Sequence, residues 1–461
     1  MFFHESGTES LPLTGECWRL LGQPTARVHG ILLNDYNIVQ AMAIATRRKQ
    51  SMDNFQIYEF TPLWLTIDHI GPFQIEPEEI NFTDNNGESC NFFMLHSKNG
   101  RGKTTILELI PALVGMTGFT KPQDLAVAHN RRLDSPFNLE NLDRGPGRAQ
   151  LDFRIHYSED GHEQVAVLSL LAGQMEVTNS LRQWDEEALS KVGAQQWHRF
   201  GFCRDEIETW STIGLHDKWI ANFISGIDAA TGEKIGGFEE SILDWPTVIY
   251  FSAYRNIVPV NPDQHRAIVP PMNWNYAPAH SFGTESGDWR DSLDNLLVWL
   301  KWLDDGRFDR AVKLVNERVF AGTVTAIKDV RKDPHEVEVV RNGNLHRLDT
   351  LSNGEKSLVQ LFVRLGAYMT RNTILLIDEP EAHLHEDWQQ RLLTQLKKMA
   401  QEQFPGLTIV LATHSSKMMA ALSLEREEDN LRKGCNLFDT VDIKANFPRP
   451  KERIFSRPEE R

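Results

Sequence analysis

Cysteine is scarce in this chain. Cys17, Cys90, Cys203 and Cys435 are widely separated in 461 residues, and no two form a CxxC pair. That spacing argues against a disulfide framework or a cysteine zinc cluster and makes a reducing cytoplasm the expected setting. No uncharged apolar run approaches the ~18 residues a membrane helix needs, so no membrane partner is expected. Met1-Phe2-Phe3-His4-Glu5 has neither a basic n-region nor an apolar h-region, so no secretory signal is expected. Fixed-period repeats and low-complexity tracts are missing too. Positive charge is short: 49 Lys and Arg against 64 Asp and Glu give a net charge of −15. This disfavours a general polyanion binder, while leaving room for a local basic groove. The remaining balance, 41% hydrophobic and 25% charged, is that of an ordinary globular chain. Its length suits two or three modules of about 150 residues, or one large one.

Residues 1–60 read as an extension with weak periodicity. Its small basic cluster, Arg47-Arg48-Lys49, is better explained as a solvated helix end than as a phosphate contact. From Leu63 the pattern sharpens: Leu63, Leu65 and Ile67 alternate as in a strand, followed by a turn at Gly71-Pro72. A hairpin is expected over 151–170, with Leu151, Phe153, Ile155 and Tyr157 alternating before Asp160-Gly161. A second hairpin is expected around 336–348, turning at Asn342-Gly343. The stretch 200–290 reads as irregular, apart from the apolar segment Val248–Phe251. Asp291 should open a helix whose Leu293, Leu296, Leu297, Leu300 and Leu303 share a face, and Trp388, Leu392, Leu396 and Met399 mark another.

Ser97-Lys98-Asn99-Gly100-Arg101-Gly102-Lys103-Thr104 lies between the apolar run Phe92–Leu95 and the helical pattern Ile106-Leu107-Leu109. Strand, loop and helix in that order are the context of a phosphate-binding loop. Small residues let backbone N–H groups turn inward around phosphate oxygens, and the helix N-terminus adds positive potential. Lys103 would reach the β- and γ-phosphates, and the Thr104 hydroxyl would hold Mg²⁺. Ser97 stands where this pattern begins with glycine.

Three further elements join the loop. Ile374–Ile377 reads as a buried parallel strand ending in Asp378-Glu379, where Asp378 can bind Mg²⁺ and Glu379 can orient or deprotonate water. Leu351-Ser352-Asn353-Gly354-Glu355-Lys356 lies upstream of it, and Leu407–Ala412 ends in Thr413-His414-Ser415. The LSNGEK run resembles the signature motif of ABC-type ATPases, Ile374–Pro380 their Walker B strand, and His414 their switch histidine. The sequence Asp378-Glu379-Pro380-Glu381-Ala382-His383-Leu384-His385 is similar to that of the SMC, Rad50 and OLD branch. The resemblance covers roughly 63–115 and 315–416.

It implies an α/β fold: a P-loop ABC-type ATPase head with a mixed sheet, a β-hairpin subdomain and a helical or irregular insertion. The expected spans are an extension at 1–60, an ATPase core at 61–115 and 315–420, the subdomain and insertion at 116–314, and a tail at 421–461. ATP and Mg²⁺ are the implied cofactors. Asn99, Gly100, Gly102, Lys103, Thr104 and Thr105 would bind nucleotide, Thr104 and Asp378 the metal, and Glu379 and His414 would be catalytic. In this class two heads meet head to tail, so Ser352, Gly354 and Glu355 would serve the nucleotide of a partner, making the protein at least a dimer. Arg255 could contact nucleotide or substrate, or be a plain surface arginine. His383 and His385 could meet one metal, but no third ligand is evident.

Lys103 and Ser352 lie more than half the chain apart, unlike the compact arrangement of a transporter ATPase. Prolines at 246, 259, 262, 270 and 271 exclude a coiled-coil arm between them. After His414 only residues 415–461 remain, too few for the nuclease domain of OLD proteins. This layout resembles the ATPase subunits of the anti-phage systems Septu and PARIS, which implies a separate nuclease effector and a phage protein or nucleic acid as trigger. A DNA-repair ATPase and a non-hydrolysing, ATP-stabilised scaffold are the alternatives. The tryptophans of the insertion would either dock the effector or fill the insertion's own core.

Overall fold

The computed structural model describes residues 55–420 except 84–90, 98–99, 120, 123–141, 143–144, 207–208, 233–241, 273 and 405, together with strands at 27–28, 31–32 and 435–438. Met1–Ser51 form one unit and Met52–Arg461 another. In the first, β1 (Arg27–Val28) pairs antiparallel with β2 (Ile31–Leu32). Arg47-Arg48-Lys49 and most of the tail lie outside the described residues.

The second unit contains a sheet ordered β4-β3-β6-β7-β8-β9: β3 is Phe55–Asp68, β4 Glu78–Asn81, β6 Arg148–Glu159, β7 His162–Gln174, β8 Gln196–Arg204 and β9 Trp210–Ile213. β3 therefore runs across the boundary drawn at residue 60. The expected first hairpin is β6–β7, whose Asp160 and Gly161 have φ of 51° and 81°, the positive values a two-residue hairpin turn needs. Leu151, Phe153, Ile155 and Tyr157 are all fully buried, and Phe60 stacks on Phe153 with ring centroids 4.2 Å apart. Mixed pairing belongs to this sheet, where β7 and β8 run parallel.

The sheet that follows Phe92 is parallel throughout. Its order is β11-β10-β15-β16-β5-β17, with β5 Phe92–His96, β10 Thr247–Phe251, β11 Ala279–Phe282, β15 Thr373–Asp378, β16 Thr408–Thr413 and β17 Cys435–Phe438. Every residue of β10, β15 and β16 is buried, as expected for strands covered on both faces. Alternate side chains enter two cores. Val248, Tyr250, Ile374 and Leu376 pack with α1 (Lys103–Gly115). Ile249, Phe251, Leu375 and Ile377 pack instead with the helices of the opposite layer. β10 and β11 come from within 116–314, so that span supplies strands to the central sheet as well as an insertion.

Two local expectations change. The stretch read as irregular holds α2 (Lys218–Gly232), whose Trp219 and Phe223 stack with centroids 5.3 Å apart. The helix expected from Asp291 begins later, as α3 (Leu293–Leu303), because Ser292 is its cap: the Ser292 hydroxyl accepts the Asn295 N–H at 3.1 Å. Leu293, Leu296, Leu297 and Leu300 are buried as the spacing requires. α4 (Arg307–Arg318) then leads into β12 (Thr325–Lys332), β13 (His335–Arg341) and β14 (Asn344–His346), with the second hairpin turning at Asn342-Gly343. Trp184, Trp219, Trp245 and Trp289 are buried in cores, while Trp302 is exposed. Among the described residues no helix is long and apolar enough to cross a membrane.

Candidate functional site: a phosphate-loop cleft at the end of the parallel sheet

The loop after β5 turns on its glycines. Gly100 and Gly102 have φ of 76° and 90°, a region open to glycine at little cost. A Cβ on Gly102 would lie 2.5 Å from Phe73 Cζ, so the turn at 70–73 presses directly on the loop. Asn99 lies outside the described residues. Lys103 opens α1 and is buried, its Nζ donating to the Ser97 carbonyl at 2.8 Å. Burial pushes this amine below its ordinary range, while Asp378, Glu379 and Glu381 hold it up.

The two halves of the motif set meet through one hydrogen bond. Thr104 Oγ1 donates to Asp378 Oδ2 at 2.7 Å, joining the start of α1 to the end of β15. Asp378 is 4% exposed, and burial pushes its carboxyl above the usual range despite the Thr104 bond. Glu379 takes a left-handed backbone, φ 44°, and its N–H donates to the Ala412 carbonyl at 2.8 Å. A non-glycine residue in that region costs on the order of 1 kcal/mol, and the neighbouring strand holds it there. His414 follows β16 with its Nδ1 3.4 Å from Glu379 Oε1. The cleft has a volume of about 600 Å³ and is lined by the run 100–105, Asp378 and Glu379. A turn that the motif reading did not mark adds Gly71, Pro72 and Gln74. Gly100, Gly102, Lys103, Thr104, Thr105, Asp378 and Glu379 are thus brought together, with His414 beside them.

Ser352, Gly354 and Glu355 do not line this cleft. They open α5 (Asn353–Tyr368) in a capping box, Glu355 Oε2 accepting the Ser352 N–H at 2.9 Å and its hydroxyl at 2.8 Å. Arg341 donates to the other oxygen of Glu355 at 2.7 Å, and together these bonds hold that carboxyl below its usual range. Ser352 is exposed. A Cβ on Gly354 would sit 3.1 Å from the His383 carbonyl, so only a very small residue lets α5 approach the loop after β15.

Two residues matter more than the sequence suggested. Arg255 is neither exposed nor part of the cleft lining. At 4% exposure it donates to the carbonyls of Ser252 (2.8 Å), Asp378 (2.8 Å) and Glu379 (2.9 Å) and to Ser357 Oγ of α5 (3.0 Å). It clasps the acidic strand end to the helix of the signature run, and burial lowers its pKa to about 10. Glu381, also buried, receives the Thr413 hydroxyl at 2.6 Å and the backbone N–H of His414 at 3.0 Å. Nothing local marks Arg255, whose partners Ser357, Asp378 and Glu379 are over a hundred residues away; Glu381 stood in the acidic run without an assigned task. His385 caps α6 (Glu386–Lys398). Among the described residues no cluster of three or more His, Cys, Asp or Glu could hold a metal, so His383 and His385 do not form such a centre.

Residues 248–420, less than half of the chain, match the family described as "AAA domain, putative AbiEii toxin, Type IV TA system". A curated relative, "Retron Vc95 probable ATPase" from Vibrio cholerae serotype O1 biovar El Tor, is 28% identical over 131 residues, 25% of this chain and 24% of that protein. The match thus spans about a quarter of that relative's length. The SMC head domain from Thermotoga maritima is 12% identical with a TM-score of 0.32, covering 78% of this chain and 92% of that one. A Pyrococcus furiosus Smc head domain bound to the C-terminal domain of ScpA gives 12%, 0.33 and the same coverages. The fold is α/β, as expected from the sequence, and the glycine-rich run before α1 and the acidic strand end lie together on its parallel sheet.

Proposed function

We propose that this chain binds and hydrolyses ATP with Mg²⁺, and that two copies share each nucleotide head to tail. The observation that carries the reading is the Thr104–Asp378 hydrogen bond, 2.7 Å long, in the cleft that also holds Lys103 and Glu379. The donor set fits the metal: a hydroxyl and a carboxylate are hard oxygen ligands of the kind Mg²⁺ takes, usually keeping several waters. When bound, the ion would neutralise charge developing on the phosphate oxygens. Lys103 and the backbone N–H groups at the start of α1 would hold the phosphates. Glu379, tethered by its N–H to Ala412, would orient the attacking water and take its proton. His414, beside Glu379, would contact the transferring phosphoryl group.

Sharing between copies is favoured by the position of the signature run. Ser352 is exposed at the start of a capped helix and takes no part in its own chain's cleft. Subunit mixing tests this. Lys103→Ala and Ser352→Arg should each abolish turnover alone, yet a mixed pair assembles one intact composite site and should recover activity. No recovery in mixtures shown to hetero-oligomerise would contradict sharing.

The biological reading is control of a separate effector, most simply a nuclease, in defence against phage. The retron ATPase similarity supports that direction. Co-purification with a nuclease encoded alongside, and no nucleic-acid cleavage by the chain alone, are the expected results. Cleavage by the pure chain that disappears on mutating one of its residues would contradict it.

A further inference from the structure

We infer that Glu381 is a positioning residue for His414, acting through a buried carboxylate that fixes the loop after β16. The inference rests on the ATPase reading of the same cleft. Glu381 lies three residues past the end of β15 and is 8% exposed. Its Oε1 gathers three donors from consecutive residues of the neighbouring strand end: Thr413 Oγ1 at 2.6 Å, His414 N at 3.0 Å and Ser415 N at 3.2 Å. Ser415 N also donates to Thr413 Oγ1 at 2.9 Å, closing the loop on itself. The same Oε1 lies 3.4 Å from His414 Nδ1, which faces Glu379 Oε1 at an equal 3.4 Å.

His414 thus stands between two carboxylates that differ in kind. Glu379, with its side chain 35% exposed, opens onto the cleft, whereas the Glu381 side chain is 7% exposed. A buried carboxylate is retained at a cost unless it is hydrogen-bonded, and here the bonds are spent on one loop. Both oxygens near Nδ1 are acceptors, so the ring presents Nδ1 to the two carboxylates at once. Backbone N–H bonds at 414 and 415 meanwhile fix where the ring is attached. Glu381 follows Glu379 by two residues, so the strand end that places the proposed base also places the histidine.

Two substitutions separate this role from general support. Glu381→Gln keeps a carbonyl oxygen for the three donors and removes the charge. Glu381→Ala removes the acceptor altogether. Glu381→Ala should lower kcat by about 100-fold, the scale of a misplaced catalytic group, with ATP affinity within twofold of wild type. Glu381→Gln should recover most of that loss. Because Glu381 acts through the histidine, adding Glu381→Ala to His414→Ala should lower kcat no further, whereas a merely structural role would give additive losses. Amide hydrogen exchange provides an arm independent of turnover: exchange across 413–415 should speed up in Glu381→Ala and stay near wild type in Glu381→Gln. Additive kcat losses, or equal exchange in all three proteins, overturn the inference. A wild-type protein without ATP turnover removes the ATPase reading and this catalytic role together, and the exchange result then stands as evidence on the loop alone.

Discussion

Asp378 and Asp152 are both buried aspartates on strands, and they occupy opposite situations. Asp378 ends a strand of the parallel sheet, at the edge of a cleft, with Thr104 as its hydrogen-bond donor. Asp152 lies inside β6 of the other sheet, fully buried, with Ser169 Oγ donating at 2.5 Å and Gln150 Nε2 at 2.8 Å to the same oxygen. Ser169 in turn accepts the Trp197 indole N–H at 2.8 Å. Burial raises both carboxyls, that of Asp152 to about 6. Depth alone therefore does not mark a functional carboxylate. A parallel sheet sends its strand ends to one edge and concentrates chemistry there, whereas a mid-strand carboxylate is walled in by its cross-strand neighbours.

The comparison breaks most visibly at the strand end. Glu379→Gln should bind ATP with near wild-type affinity and hydrolyse it about 10²–10⁴-fold more slowly, as loss of a general base does. Single-turnover hydrolysis beside equilibrium ATP binding checks this, and a wild-type rate would move the base elsewhere. A smaller effect is expected at the clasp behind the strand end. Arg255→Lys keeps the charge but cannot reproduce the guanidinium fork that reaches Ser252, Ser357 and the carbonyls of Asp378 and Glu379. It should cost about 2–4 kcal/mol of stability, read by denaturant unfolding. kcat should fall about tenfold as the acidic pair loosens, within the range a small misplacement produces.

The smallest effect on turnover belongs to Asp152. Asp152→Asn should leave kcat within twofold of wild type while changing the pH dependence of stability. The folded protein holds the Asp152 proton up to about 6, and the ordinary carboxyl value is 3.8. Between those values the native state binds more protons than the unfolded chain, so this group's stabilisation is present at low pH and is lost as pH rises through about 6. The Tm of wild type relative to the variant should therefore fall across that window, by the equivalent of about 3 kcal/mol at most. A flat difference would mean that Asp152 titrates normally. A large loss of turnover would mean that the two aspartates are not as different as their positions indicate.

Those same positions explain what could be read from the chain. Lys103, Thr104, Asp378 and Glu379 were legible because each needs a particular neighbour in sequence, a glycine-rich run before a helix or an apolar run before an acid. Buried strands β15 and β16 were legible for the same reason, as were hairpins with Asp-Gly and Asn-Gly turns. Arg255 was not, since its partners Ser357, Asp378 and Glu379 are brought to it only by the order of the parallel strands. α2 was hidden by its own composition: Trp219 and Phe223 face an aromatic core with Phe55 and Trp245, and the surrounding Gly and Pro masked the helical spacing. The turn carrying Gly71, Pro72 and Gln74 was recognised as a turn, while its place on the cleft depends on packing against Gly102.

The most direct test of the central claim is equilibrium binding of ATP in the presence of Mg²⁺, compared between wild type and Lys103→Ala. Among the described residues Lys103 is the lysine that lines the cleft, at the mouth of α1 and beside Asp378 and Glu379. The account predicts saturable, Mg²⁺-dependent binding by wild type and none measurable in the variant, with both proteins folded. Equal affinity of the two proteins for ATP would contradict it.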